Sequence, residues 1–350
     1  MLRSLLAKLA LLAFALCLTA VFLEIGLRIA FYHSKDFSME MWKYAVQLKR
    51  PVPDPHLSFA HAPNSEAFLM GVDVKTNSHG QRDYEYPLTK SPDTYRIMML
   101  GDSTTFGWGV RQEDTASKIL ERKLNEARAA GYKKFEVINT GVGNYDTVQE
   151  ATYYETLGRA FHPDLVILVF FINDPEPVPI EGKGFLIDRS YLIAFLANRY
   201  DGVLRRLGSR PSWKDYYASL YNDDKPGYQA CKAALKGLAS SAKSNGSSLL
   251  VALLPELHQI NDDSYPFKAQ HQKIEAVMAA EGVPVVELID GLKDHGSENT
   301  LWVTPLDDHP DAKANDLISD QLRDWILKNI QTQPLALSVN ESCDHCKIPQ

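Results

Sequence analysis

The chain lacks most of the features that would assign its class at once. It has only four cysteines in 350 residues, no internal repeat, no low-complexity block and no excess of basic residues. Thirty-seven Lys and Arg against 44 Asp and Glu leave a formal charge of −7. A dedicated nucleic-acid binder would instead carry a basic patch or stripe. The cysteines build no disulfide framework. Cys17 lies in an apolar N-terminal run, and Cys231 lies in a helical-looking segment, where a small buried hydrophobe is the plain reading. Cys343 and Cys346 form a single CxxC, half of a zinc site with no second pair. A small disulfide loop or a tether are its other readings, and a disordered tail is preferred to both.

Long uncharged runs are also scarce, with one exception. Arg3 and Lys8 precede an uncharged stretch from Leu9 to Leu23, and the apolar character continues past Glu24 and Arg28 to Phe31. Leu5 to Phe31 is long enough to span a bilayer, which needs about 20 mostly apolar residues, with the charged ends near the interfaces. A cleaved signal peptide is the rival, but no small-x-small cleavage site follows the core. We therefore expect residues 1–33 to be an uncleaved anchor. The positive charges on its N-terminal side place the remainder on the extracytoplasmic side of an inner membrane.

Residues 34–94, rich in turn-forming Asn, Gly, Asp and Pro, read as a linker and an extended lead-in that packs on the main domain. From Tyr95 a strand–helix alternation begins. Strands are expected at "RIMML", "FEVINTGV", "DLVILVFFIND", "SLLVALLP" and "VPVVELID", with helices between them and an amphipathic helix after the last. Five such units predict an α/β fold with a parallel sheet and helices on both faces over 95–331. Residues 175–227 interrupt the pattern as a helical insertion or lid, with an apolar helical stretch at Ser190–Leu207 and a cluster of aromatics whose plainer, alternative reading is packing on the core. Residues 332–350 are the tail.

Functional groups of such a sheet collect at the carboxyl ends of its strands. The first strand ends in Gly101-Asp102-Ser103, the second in "NTGVGNYDT", the third in Asn173-Asp174, and "LDDHPDAKAND" lies beyond the fifth. A serine hydroxyl needs an adjacent base, for which His309 is the candidate, and a carboxylate must orient that imidazole. The oxyanion needs donors, which the Ser103 N–H, the backbone near Gly143 and the Asn173 amide would supply. Each residue alone has a plainer reading: Ser103 as a cap, Asn173 as an Asx-turn residue, His309 as one of ten histidines. Their ordered arrival at successive strand ends favours acyl transfer. Gly-x-Ser-x-Gly and Gly-Lys-Ser/Thr are both absent around Ser103, which excludes the α/β-hydrolase elbow and the P-loop. His258, past the fourth strand, is the rival base. No spaced His/Asp/Glu set suggests a metal.

The motifs "GDSTTFG", "NTGVGNYDT", "FFINDPEP" and "DDHPDAKAN" resemble the four blocks of the SGNH (GDSL-type) hydrolase superfamily. The lead-in "TNSHGQRD" and the anchor "FLEIGLRIAFY" resemble its membrane-anchored bacterial branch. The resemblance implies a flavodoxin-like α/β/α fold, esterase or acyl-transfer activity and no required cofactor. It makes Ser103 the nucleophile and His309 the base, with Gly143 and Asn173 completing the oxyanion hole. Three departures stand out. The usual aspartate position, three before the histidine, is Leu306, so Asp307 is preferred to Asp308. The second glycine of block two falls on Asn144, an alternative donor to Gly143. A usual glycine of block three is Phe171, which narrows the space near the oxyanion. The expectation is an esterase acting on O-acyl, notably O-acetyl, groups of extracytoplasmic glycans or lipids. An acyltransferase using the same acyl-enzyme and a non-catalytic envelope scaffold are the alternatives.

Overall fold

The computed structural model describes residues 2–127, 131–178, 187–207, 211–262 and 264–330. Its chain begins with α1 (Leu2–Ala30), a helix of Leu, Ala and Phe. Residues 3–30 are long and apolar enough to cross a membrane, and none of the span is buried against the protein. The lead-in is more ordered than a linker. It holds a helix, α2 (Phe37–Gln47), whose N-terminus is capped by Asp36, and two antiparallel hairpins. The hairpins are β1 (Lys49–Pro51) with β2 (Phe59–His61), and β3 (Glu66–Leu69) with β4 (Val72–Lys75).

The sheet follows as β5 (Thr94–Leu100), β6 (Lys134–Asn139), β7 (Leu165–Phe170), β8 (Ser248–Leu253) and β9 (Val285–Glu287). All neighbours pair in parallel, in the order β6-β5-β7-β8-β9. Every residue of β7 is buried, because helices cover both faces and no side of the strand needs polar residues. Each such Leu, Ile or Val contributes about 1.5–3 kcal/mol of burial free energy.

A very short helix, α3 (Ser103–Phe106), follows β5 directly, and α4 (Ala116–Ala127) makes the return. Next come α5 (Thr147–Thr156), opened by an Asp146–Gln149 capping box, then α6 (Tyr191–Arg206), α7 (Trp213–Leu220) and α8 (Pro226–Ser244). The fold closes with α9 (Lys268–Ala280), the hairpin β10 (Trp302–Thr304) and β11 (Asp307–Pro310), and α10 (Ala312–Ile330). α4 packs with α10, and α5 packs with α8, which also meets α9. The result is the expected three-layer, flavodoxin-like α/β fold.

In this strand order the chain reverses direction across the sheet between β5 and β7, where a crevice opens at the carboxyl ends. Ser103 follows one of these strands and Asn173 the other.

Of the expected insertion, the described part is α6, α7 and the start of α8. Tyr221 and Tyr228 are buried in the main core, while Tyr216 and Tyr217 pack against it. Cys231 is buried with its thiol 3.4 Å from Thr147 Oγ1. Cys343, Cys346 and the rest of 332–350 lie outside the described residues.

Candidate active site

Backbone geometry places Ser103. The strand stops at Leu100, and Asp102 Oδ1 accepts from Thr104 N at 2.8 Å and from Thr104 Oγ1 at 2.9 Å, which caps α3. Gly107 ends that helix at φ 82°, a conformation that favours glycine. Gly141, in the loop after β6, lies so close that a Cβ there would sit 2.2 Å from Phe106 N. The loop of the second block is thereby pressed against the serine turn. Arg82, from the lead-in, is 1% exposed. Its guanidinium donates to the carbonyls of Phe106 (3.0 Å), Gly107 (2.5 Å) and Val110 (2.6 Å). Losing this donor would leave the Phe106 and Val110 carbonyls without it, at about 1–3 kcal/mol each, while Gly107 O keeps the Val110 N–H.

β11 brings the imidazole. His309 Nε2 lies 2.8 Å from Ser103 Oγ, and its Nδ1 lies 2.6 Å from Asp307 Oδ1. Asp307 is 3% exposed, and its second oxygen accepts from Trp108 Nε1 at 3.0 Å. Burial pushes the Asp307 pKa up, but the hydrogen bonds and charge of His309, with the Trp108 bond, leave it below the usual carboxylate value. Burial likewise works against a charged His309, and the Asp307 hydrogen bond and charge, helped by Asp308 and Asp102, raise its pKa above the usual 6.5. The rings of Phe37 and Trp108 stand 5.8 and 6.1 Å from the imidazole.

Strand alternation separates the two candidate acids. Asp307 and His309 share one side of β11, and Asp308 turns to His258, 3.6 Å away. Leu306, at the position where an aspartate was sought, sits at the hairpin tip and is 95% exposed.

The two block-two candidates, Gly143 and Asn144, sit differently. The Gly143 N–H donates to Tyr44 Oη at 2.7 Å. His61 Nδ1 faces the Gly80 carbonyl at 3.1 Å and must donate there, so its Nε2 accepts the Tyr44 proton at 2.7 Å. That chain occupies the Gly143 N–H. Asn144 has φ 66°, a left-handed conformation that asparagine tolerates and that suits the place of a glycine. Asn173 Nδ2 lies 3.5 Å from Asp102 Oδ2, and so does Ser103 Oγ. Asn173 Oδ1 is buried without a partner. Phe171 is half-buried against the main core.

The rival base sits in a separate cluster. His258 Nδ1 is hydrogen-bonded to Glu256, and its ring lies between Trp302 (4.4 Å) and Trp213 (5.4 Å). Burial and the adjacent Asp308 push Glu256 up to about 10. Among the described residues, Glu256, His258 and Asp308 form one set of three metal-type ligand atoms within 4.8 Å of one another, and Asp307, Asp308 and His309 form a second. Sequence spacing alone did not show either set.

Sequence reasoning also missed Tyr44, Phe37 and Trp108 and left Arg82 without a role. Each acts across a long stretch of chain, and only Arg82 lay inside a quoted motif.

The sequence profile of the GDSL-like lipase/acylhydrolase family matches residues 99–317, more than half of the chain. The protein belongs to this family and is a hydrolase acting on ester bonds. No curated protein matches it by sequence. Among solved structures it is similar to a lipase/acylhydrolase from Enterococcus faecalis (12% identity, 67% of this chain and 96% of that one, TM-score 0.43). It is also similar to a psychrotrophic esterase from Pseudoalteromonas sp. (14% identity, 67% and 98%, TM-score 0.41). A two-domain esterase active on acetylated mannans is 14% identical over 69% of this chain and 50% of that one, with a TM-score of 0.43. Likenesses this distant carry no argument about substrate.

Proposed function

We propose that the chain is a membrane-anchored serine esterase in which Ser103 is the nucleophile, His309 the general base and Asp307 its orienting acid. One observation carries this reading: a single imidazole lies 2.8 Å from the serine hydroxyl on one nitrogen and 2.6 Å from a buried carboxylate on the other. Ser103 Oγ adds to the ester carbonyl as its proton passes to His309 Nε2. The oxyanion is held by the N–H groups of Ser103 and Asn144 and by Asn173 Nδ2, each such donor being worth about 3–4 kcal/mol of barrier. Collapse of the intermediate expels the alcohol, which takes the proton back from His309. Water, deprotonated by the same nitrogen, then releases the acid.

The substrates are O-acyl, notably O-acetyl, esters of extracytoplasmic glycans or lipids. This rests on α1 serving as an uncleaved anchor, with Arg3 and Lys8 on its inner side. In this reading residues 1–33 anchor the protein and 95–331 carry the chemistry. The lead-in, 34–94, belongs to the catalytic unit, because Arg82 and Tyr44 hold its loops. A second reading is transfer of the acyl group to a sugar hydroxyl, which would take the place of water at the same acyl-enzyme.

The test is hydrolysis of p-nitrophenyl acetate by the full chain in detergent, beside Ser103→Ala. A fall of about 10⁴-fold or more is expected. Equal rates would assign the fold a non-catalytic role. Product analysis with a sugar acceptor present separates hydrolysis from transfer.

A further inference from the structure

An imidazole and two carboxyl groups meet beside the catalytic pair without belonging to it. Glu256 and His258 follow the carboxyl end of β8, and Asp308 comes from β11. Glu256 is 3% exposed, and its backbone N–H donates to Tyr265 Oη at 2.8 Å, which steadies the loop. The His258 backbone N–H donates to Glu256 Oε2 at 3.1 Å, so the other oxygen, Oε1, is the one bonded to His258 Nδ1. Asp308 Oδ2 stands 3.6 Å from the same nitrogen, and its carboxyl group is hydrogen-bonded to that of Glu256. The side chains of His258 and Asp308 are 38 and 35% exposed, which gives the cluster a buried floor and an open mouth.

The charges here do not balance. Glu298 adds a further carboxylate whose field reaches Glu256. Among the described residues, no Lys or Arg is ion-paired with Glu256, Asp308 or Glu298. One imidazole therefore faces two carboxyl groups, which stay in contact only by sharing a proton or a cation. The three side chains each offer one ligand atom, all within 4.8 Å of one another. Ligand atoms held at about 2.0–2.2 Å by one Zn²⁺, in tetrahedral or right-angled pairs, lie about 3.0–3.6 Å apart. The separation between Asp308 and His258 already meets that spacing. A nitrogen with two carboxylate oxygens suits a borderline ion such as Zn²⁺ better than Mg²⁺ or Ca²⁺, which take oxygen ligands. The neighbouring set of Asp307, Asp308 and His309 is less free to bind one. Both nitrogens of His309 and both oxygens of Asp307 are engaged with each other, Ser103 and Trp108.

We propose that Glu256, His258 and Asp308 form a binding site for a divalent transition-metal cation of the Zn²⁺ type, separate from the Ser103–His309 centre. The cation takes the place of the proton shared among these groups, and solvent completes its coordination at the open mouth. It ties the loop after β8 to β11, the strand that carries Asp307 and His309. The site stands whether or not Ser103 is the nucleophile.

The test is calorimetric titration of Zn²⁺ into the full chain in detergent, stripped beforehand with a chelator. Cys343→Ser and Cys346→Ser are included throughout, so that the tail thiols take up no metal. One site per chain is expected. His258→Ala should weaken it by more than the about 10- to 100-fold that loss of an outer partner of a metal ligand costs. His309→Ala should bind as the parent does. Zn²⁺ should also raise the Tm of the parent and of His309→Ala, and leave that of His258→Ala unchanged. Glu256→Gln, which keeps the side chain's shape, repeats the comparison if His258→Ala does not fold. The absence of a saturable site in the parent, or equal affinity in His258→Ala and Glu256→Gln, would overturn the proposal. So would binding that survives His258→Ala and disappears in His309→Ala, because the ion would then sit on the catalytic pair.

Discussion

His309 and His258 are both imidazoles held by acids beyond the carboxyl edge of one sheet, and they differ in what surrounds the rest of the ring. His309 pairs with Asp307 and meets Ser103 Oγ at 2.8 Å. His258 pairs with Glu256, contacts the rings of Trp213 and Trp302, and has, among the described residues, no serine at its other nitrogen. The adjacent Asp307 and Asp308 serve one histidine each, because neighbours in an extended strand project to opposite sides. An acid beside a histidine is therefore not a catalytic signature. The serine at the far nitrogen is the discriminating feature.

This comparison can be broken most sharply by removing each imidazole. His309→Ala should lower kcat for p-nitrophenyl acetate by about 10⁴- to 10⁶-fold, while His258→Ala should change it less than about tenfold. The reverse ranking would transfer the base to the Glu256 cluster. A smaller effect should separate the acids. Asp307→Asn preserves shape but loses the charge that orients the imidazole, so kcat should fall by about 10³- to 10⁴-fold. Asp308→Asn, read in the same assay, should stay within about tenfold of the parent. Comparable losses would mean that the two sides of β11 act as one unit.

The smallest effect lies in pH dependence. His309 must be neutral to accept the serine proton, and Asp307 raises its pKa. The acid limb of kcat/KM should therefore fall above pH about 6.5, the ordinary histidine value. Asp307→Asn should move that limb to lower pH, and Asp308→Asn should move it less. A limb below the ordinary value in the parent enzyme would contradict the assigned pairing.

Much of this was legible in the sequence where chemistry is local or periodic. The all-apolar run of β7, the Gly-Asp-Ser stop after β5 and the i, i+2 spacing of Asp307 and His309 each have a direct physical reading. Tyr44 and Arg82 were not legible as functional residues, because they act on Gly143 and on the Phe106–Val110 turn through contacts far apart in sequence. Helix α2 was hidden among turn-forming residues. That a remote hydroxyl holds the Gly143 N–H is likewise something spacing does not encode. The β10–β11 hairpin puts Leu306, the position where an aspartate was sought, at its exposed tip.

The central claim, that His309 activates Ser103, is tested most directly by a fluorophosphonate that labels activated serines, with the adduct mapped by mass spectrometry. The expected result is a single adduct on Ser103, formed at the parent rate in His258→Ala and slowed by about 10³-fold or more in His309→Ala. An adduct on another residue, or labelling of Ser103 that survives His309→Ala and disappears in His258→Ala, would contradict the account.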